Sequence, residues 1–191
     1  MQPSGEESNG NHLTGNAILA SSETRMSRSS TGNSTEKFRA FHAIASAGLI
    51  AGILDITSAF VLAGLKGVGP IRVLQGVAMG LLGQQALEGG LATAGLGLAI
   101  HFSIAFAAAS VFYTASRRFT FLTQHAVSSG LLYGVAVYGF MYWIVVPLAF
   151  VNARHSVSRD VTAVIVHMLL IGLPISLIVR RCTRPLFAQH E

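Results

Sequence analysis

Apolar residues fall into four long runs, preceded by an N-terminal stretch that holds hardly any large apolar side chain. The first run, residues 44–65, reads IASAGLIAGILDITSAFVLAGL and carries one ionisable residue, Asp55, near its centre. About 20 mostly apolar residues are what a helix needs to cross roughly 30 Å of hydrocarbon. The runs at 91–113, 127–150 and 161–179 meet the same condition. Together they predict an all-α fold, a polytopic membrane protein with a four-helix transmembrane bundle spanning residues 38–182. Residues 1–37 are rich in Ser, Asn, Gly and Thr, offer nothing to bury, and predict a disordered tail. Residues 183–191 form a short C-terminal tail.

Between the first two spans, Lys66-Gly67-Val68-Gly69-Pro70 predicts a helix stop. The 71–86 segment that follows has helical period, yet it is short and carries Arg72, Gln75, Gln84 and Gln85. It predicts a short helix lying at the interface or dipping part-way in as a re-entrant piece, rather than a fifth span.

Helical spacing also sorts the faces. Counting from Asp55 passes Gly48, Gly52 and Ala59, while Leu49, Ile53 and Phe60 lie off that line. A stripe through His101 runs Ala94, Gly97, Ala105 and Ala108, and the third span opens on Gly130 and Gly134. Small stripes let helix backbones approach closely, so Gly48, Gly52, Gly97, Gly130 and Gly134 are the predicted packing positions. The same stripes could equally drive a homo-oligomer.

Composition agrees with a bilayer setting: 51% of residues are apolar and 11% charged, against roughly 25% charged in an ordinary soluble domain. The net charge of +5 comes from residues dispersed at the ends of the spans. No basic stripe interleaved with aromatics is present, so nucleic acid is not an expected partner and the lipid bilayer is. One cysteine, Cys182, excludes an internal disulfide framework and any multi-cysteine metal site. With four spans, nine Lys and Arg residues fall on the side of the two termini and four on the other. That bias predicts cytoplasmic termini.

The candidate chemistry lies in Asp55, His101 and His167, three ionisable residues inside apolar runs. An acid at mid-depth costs about 2.5 to 3.5 kcal/mol on insertion scales, which pairing with a histidine or protonation offsets. Asp55 and His101 are expected to face each other at similar depth within hydrogen-bonding reach, with His167 approaching the same region. Two roles stay open: a structural or assembly protein with a packed Asp–His polar centre, and a small proton- or ion-coupled transporter that relays charge through the same residues. Neither a Gly-x-Ser-x-Gly elbow nor a His-Glu-x-x-His helix occurs, so no catalytic residue is assigned and no enzyme is expected. No cofactor and no metal site is assigned.

The two halves look alike. Gly48-Leu49-x-x-Gly52 opens the first span and Gly130-Leu131-x-x-Gly134 the third; the second and fourth spans each carry one histidine before an arginine pair. Val137 stands near the position equivalent to Asp55. The GLIAG opening, mid-helix His101, the GLLYG helix ending at Pro147 and a final helix with His167 resemble YagU-like bacterial inner-membrane proteins. The resemblance covers residues 44–181. It implies a bacterial inner-membrane location and this architecture, and it brings no catalytic residue with it.

Overall fold

The structure, a computed structural model, describes the backbone of residues 10–149 and 157–183 and the side chains of residues 36–147 and 160–183. The chain divides into two units, residues 1–39 and 40–191. All regular structure among the described residues is helical. Four helical stretches are long and apolar enough to cross a membrane: Glu36–Gly64, Gly90–Arg118, Ala126–Val145 and Asp160–Thr183. These are the four runs expected, each within a few residues at its ends or longer by one to two turns.

The first helix, α1, is Gly10–Gly64. Its backbone is helical well before the span, where composition predicts an unordered tail. Residues 1–9 and the side chains before Glu36 lie outside the described residues. At its other end α1 stops in a Schellman motif. Val68 N–H reaches back to Ala63 O at 3.0 Å, Gly67 N–H reaches Gly64 O at 2.9 Å, and Gly67 sits at φ +76°. Only a glycine adopts that φ without strain.

Pro70 then starts α2 (Pro70–Leu82), where its missing N–H is no loss. A tight 3-10 stretch, Gly83–Leu87, turns the chain into α3 (Gly90–Arg118). The short α4 (Phe121–Gln124) leads to α5 (Ala126–Phe140). A π-helical turn, Met141–Val145, carries α5 on into α6 (Val146–Ala149). The last span consists of α7 (Val157–Val166), a second π-helical turn, His167–Gly172, and α8 (Leu173–Thr183). Each π turn lies just ahead of a proline, Pro147 in one case and Pro174 in the other. A proline ring clashes with the carbonyl four residues back and takes away a donor, and a locally widened turn relieves both. Those carbonyls belong to Trp143 and Leu170, each inside its π turn.

The spans pack in an up-and-down order. Gly48 and Gly52 of α1 lie against Phe106 and Phe102 of α3, so the two helices run antiparallel. Tyr133 of α5 donates its hydroxyl to Ala108 O of α3 at 2.6 Å and sets its ring edge against Phe112. Gly130 abuts Ser176, and Gly134 abuts Met168. The apolar core gathers Ala47, Ala51, Ala109, Phe112, Ile175 and Val179, toward the end of the bundle where α3 finishes and α5 begins. Only 17–28% of the most apolar window of each span is buried inside the protein. Many of the other residues, including Leu49, Ile50, Ile53 and Val61, are exposed and face outward. An apolar surface that extensive needs lipid or another apolar partner to cover it.

Candidate functional site

Ala43, Ala47 and Ala51 recur every four residues along α1 and are all buried, and the next member of that series is Asp55. The small residues bring α3 close. A Cβ on Gly52 would meet the Phe102 ring at 2.8 Å and Ala105 Cβ at 3.3 Å, so a larger residue would push the Phe102 ring aside. Closeness exposes the Gly52 carbonyl to α3, and His101 Nε2 lies 3.0 Å from it. A carbonyl only accepts, so Nε2 carries the proton and donates; Gly52 O still has a lone pair for its helical bond. In the neutral ring this leaves Nδ1 as the lone-pair nitrogen. Asp55 Oδ2 lies 4.0 Å from Nδ1.

The expected Asp55–His101 approach therefore occurs, but 4.0 Å is longer than a hydrogen bond. The hydrogen bond of His101 goes instead to a backbone carbonyl that a reading by residue type does not anticipate. The side chains are 14% exposed for His101 and 23% for Asp55, which leaves the carboxylate room for solvation. Ser58 is nearby in sequence yet turns back to Asp55 O at 2.7 Å, so its hydroxyl is engaged with backbone.

His167 opens the second π turn. Its Nδ1 lies 2.8 Å from Ala163 O, one turn back along its own span. By the same logic Nδ1 donates, and Nε2 is the lone-pair nitrogen of the neutral ring. Asp55, His101 and His167 line one cavity of about 120 Å³, together with Val137, Met141 and Ile171. The lining is mostly apolar apart from these three side chains, and its volume has room for water molecules that their polar atoms could hold. Met141, His167 and Ile171 all belong to the π turns, so the prolines help shape the cavity wall. Val77 of α2 lines the cavity too.

The placement of α2 follows from Gly97. A Cβ there would run into Leu74 O of α2, so the two helices cross with backbones in contact. Gln75 is buried and donates from Nε2 to Gly90 O at 3.1 Å, and Arg72 reaches Leu87 O at 3.0 Å. All five predicted packing glycines thus face neighbours within the chain.

Sequence reading missed a second group beside His167. The Tyr138 ring makes a T-shaped contact with His167, centroids 5.7 Å apart, and stacks on Tyr142 at 5.1 Å. Tyr142 donates its hydroxyl to Asp160 Oδ1 at 2.6 Å. Tyr138 and Asp160 line a second depression of about 300 Å³ with Val161, Val164 and Ile165. The available signal was two tyrosines four residues apart facing an acid in the first turn of the next span. Taken one at a time, they resemble an interfacial aromatic belt.

No three His, Cys, Asp or Glu side chains among the described residues are grouped as a metal site would require. Comparison with protein-family models, with curated proteins and with solved structures returns no match for this chain. What the site can do rests on its own geometry.

Proposed function

We propose that this chain is a multi-pass membrane protein whose central cavity loads and releases a proton or a small monovalent cation in transport. The observation that carries this reading is the convergence of Asp55, His101 and His167, from three separate spans, on one cavity. A merely structural acid–histidine pair would close into a direct hydrogen bond and exclude space around it. Here each histidine is held by a backbone carbonyl and keeps one basic nitrogen available. Two facing lone pairs, on Nδ1 of His101 and on the Asp55 carboxylate, become donor and acceptor once either group takes a proton.

The contribution of Val77 to the same cavity supports a re-entrant placement of α2, since it brings the 70–82 segment to the depth of Asp55. The basic asymmetry supports cytoplasmic termini, and a bacterial inner-membrane location is what the resemblance to YagU-like proteins implies. Neither catalysis nor a cofactor is part of this proposal. A structural role has one specific observation in its favour, the His101–Gly52 hydrogen bond that ties α3 to α1.

The two readings separate on Asp55→Asn and Asp55→Ala in proteoliposomes. Asn keeps shape and hydrogen-bonding capacity but cannot titrate. Transport predicts that the wild type passes protons or a monovalent cation, and that Asp55→Asn abolishes the flux while its melting temperature stays near wild type. Equal flux in wild type and Asp55→Asn, or none in the wild type, overturns transport. A loss of stability in Asp55→Ala, largely restored in Asp55→Asn, would then leave the structural role.

A further inference from the structure

We infer that Asp160, Tyr142 and Tyr138 form a proton route linking one face of the protein to His167 and the central cavity. The inference rests on the reading of that cavity as a site where charge is loaded. Asp160 lies in the first turn of α7 and His167 seven residues further along the same span, about 10 Å deeper at 1.5 Å per residue. No single proton transfer covers that distance, so intermediate groups are required. Two hydroxyls stand between them on the facing span, one turn apart. The outer one bonds Asp160 at 2.6 Å. The two tyrosine rings are stacked with centroids 5.1 Å apart, which sets their hydroxyls side by side on one face of the helix. The inner one, Tyr138, is 9% exposed and sets its ring against the His167 imidazole.

Topology adds a direction. Antiparallel packing puts the start of the Asp160 span on the face where α1 ends and α3 begins. On that side Tyr138 borders both spaces, lining the outer depression and touching the histidine that lines the inner cavity. Toward the opposite face, the buried side chains of Phe112, Ile175 and Val179 fill the bundle, and Tyr133 spends its hydroxyl on Ala108 O. Those side chains offer no chain of donors and acceptors. In this conformation the cavity is served from the Asp160 face.

The transfer balances without any other reactant. Protonated Asp160 gives its proton to the Tyr142 hydroxyl, which passes its own to Tyr138. Tyr138 passes its own proton to the lone-pair nitrogen Nε2 of His167, directly or through cavity water. Each tyrosine ends with one proton, as it began; Asp160 ends as carboxylate and His167 as imidazolium.

The test is hydrogen–deuterium exchange at the His167 ring nitrogens in the full-length protein in liposomes. It is read by solid-state NMR with ¹⁵N-histidine, and the His167 signal is assigned from its loss in His167→Gln. Tyr138→Phe and Tyr142→Phe keep both rings, and with them the stacking, while removing the hydroxyls. Each should slow exchange by about a hundredfold or more, the scale of a lost acid–base group. Asp160→Asn should slow it likewise, since it keeps an acceptor for Tyr142 but takes up no proton. Trp143→Phe, beside Tyr142, should leave the rate unchanged. Wild-type exchange rates in the Tyr→Phe variants overturn the route, whatever the flux of Asp55→Asn turns out to be. Slowed exchange in a protein that carries no flux would uphold the route and defeat transport.

Discussion

Substituting alanine for two glycines of the same helix should move stability in opposite directions. Gly134 and Gly139 both lie in α5, about one and a half turns apart. A Cβ on Gly134 would stand 2.5 Å from His167 O and 2.7 Å from Met168 N, and would also collide with Met168 Cα. All three atoms are backbone and cannot rotate away. Relaxing to ordinary contact near 3.5 Å means parting the two spans by about 1 Å, and a gap of that size forfeits a quarter to a half of each contact it opens. Overpacking costs about 1–3 kcal/mol, and the upper end fits a collision with backbone. Alanine returns about 1 kcal/mol in helix propensity, so the net loss is about 2 kcal/mol. At Gly139 nothing lies within 4 Å, and Gly139→Ala should gain about 1 kcal/mol from propensity alone. At about 2–4 °C per kcal/mol, Gly134→Ala should melt about 4–8 °C lower and Gly139→Ala about 2–4 °C higher. The assay is thermal unfolding in matched detergent micelles, followed by near-ultraviolet circular dichroism. Shifts of the same sign would refute the claim that backbone contact at Gly134 joins these spans.

Phe112→Ala and Leu49→Ala remove large apolar side chains from opposite surroundings, one 1% and the other 47% exposed. The first should cost about 3–5 kcal/mol of stability, and the second should stay within about 0.5 kcal/mol if that face meets lipid or detergent; comparable losses would mean the outward face packs against protein. Reporter fusions after residues 68 and 120 should read opposite sides of the membrane, outside and inside respectively. The reverse pattern would overturn the orientation, and matching signals the number of spans.

The spans were legible because bilayer thickness imposes a length that few other constraints mimic. The expected runs 44–65, 91–113, 127–150 and 161–179 fall on the four apolar helices. Helical spacing also brought out the approach of Asp55 to His101, since an acid and a histidine on small-residue stripes of adjacent antiparallel helices have few other places to go. The partner of His101 was not legible. The Gly52 carbonyl has no letter in the sequence, and its availability depends on how closely α3 approaches. The neighbour of Gly97, the Leu74 carbonyl of α2, was not legible either, because it depends on how the 65–69 turn aims the next helix. The π turns left a faint trace in Pro147 and Pro174, which lie inside the expected runs 127–150 and 161–179. The Asp160–Tyr142 contact joins residues 18 apart across the gap between two spans, a pairing that periodicity within one helix cannot report.

The two halves solve the same packing problem with different chemistry, and that difference bears on what the cavity can hold. In the first half Gly52 meets the span of His101, and His101 donates to its carbonyl. In the second half Gly134 meets the span of His167 at the His167 carbonyl, but His167 turns back to Ala163 because a π turn begins there. Asp55 and Val137, the equivalent positions of the first and third spans, line the same cavity. Among the described residues the wall therefore carries a single carboxyl group and two imidazoles. With the acid ionised and both imidazoles neutral, one proton or one monovalent cation brings the cavity to neutrality. A second positive charge would leave a net charge inside apolar surroundings, where uncompensated charge is expensive. On the transport reading, the load is one charge per cycle. The histidines then act as stations a proton passes through, and the acid, present in one half only, sets the capacity.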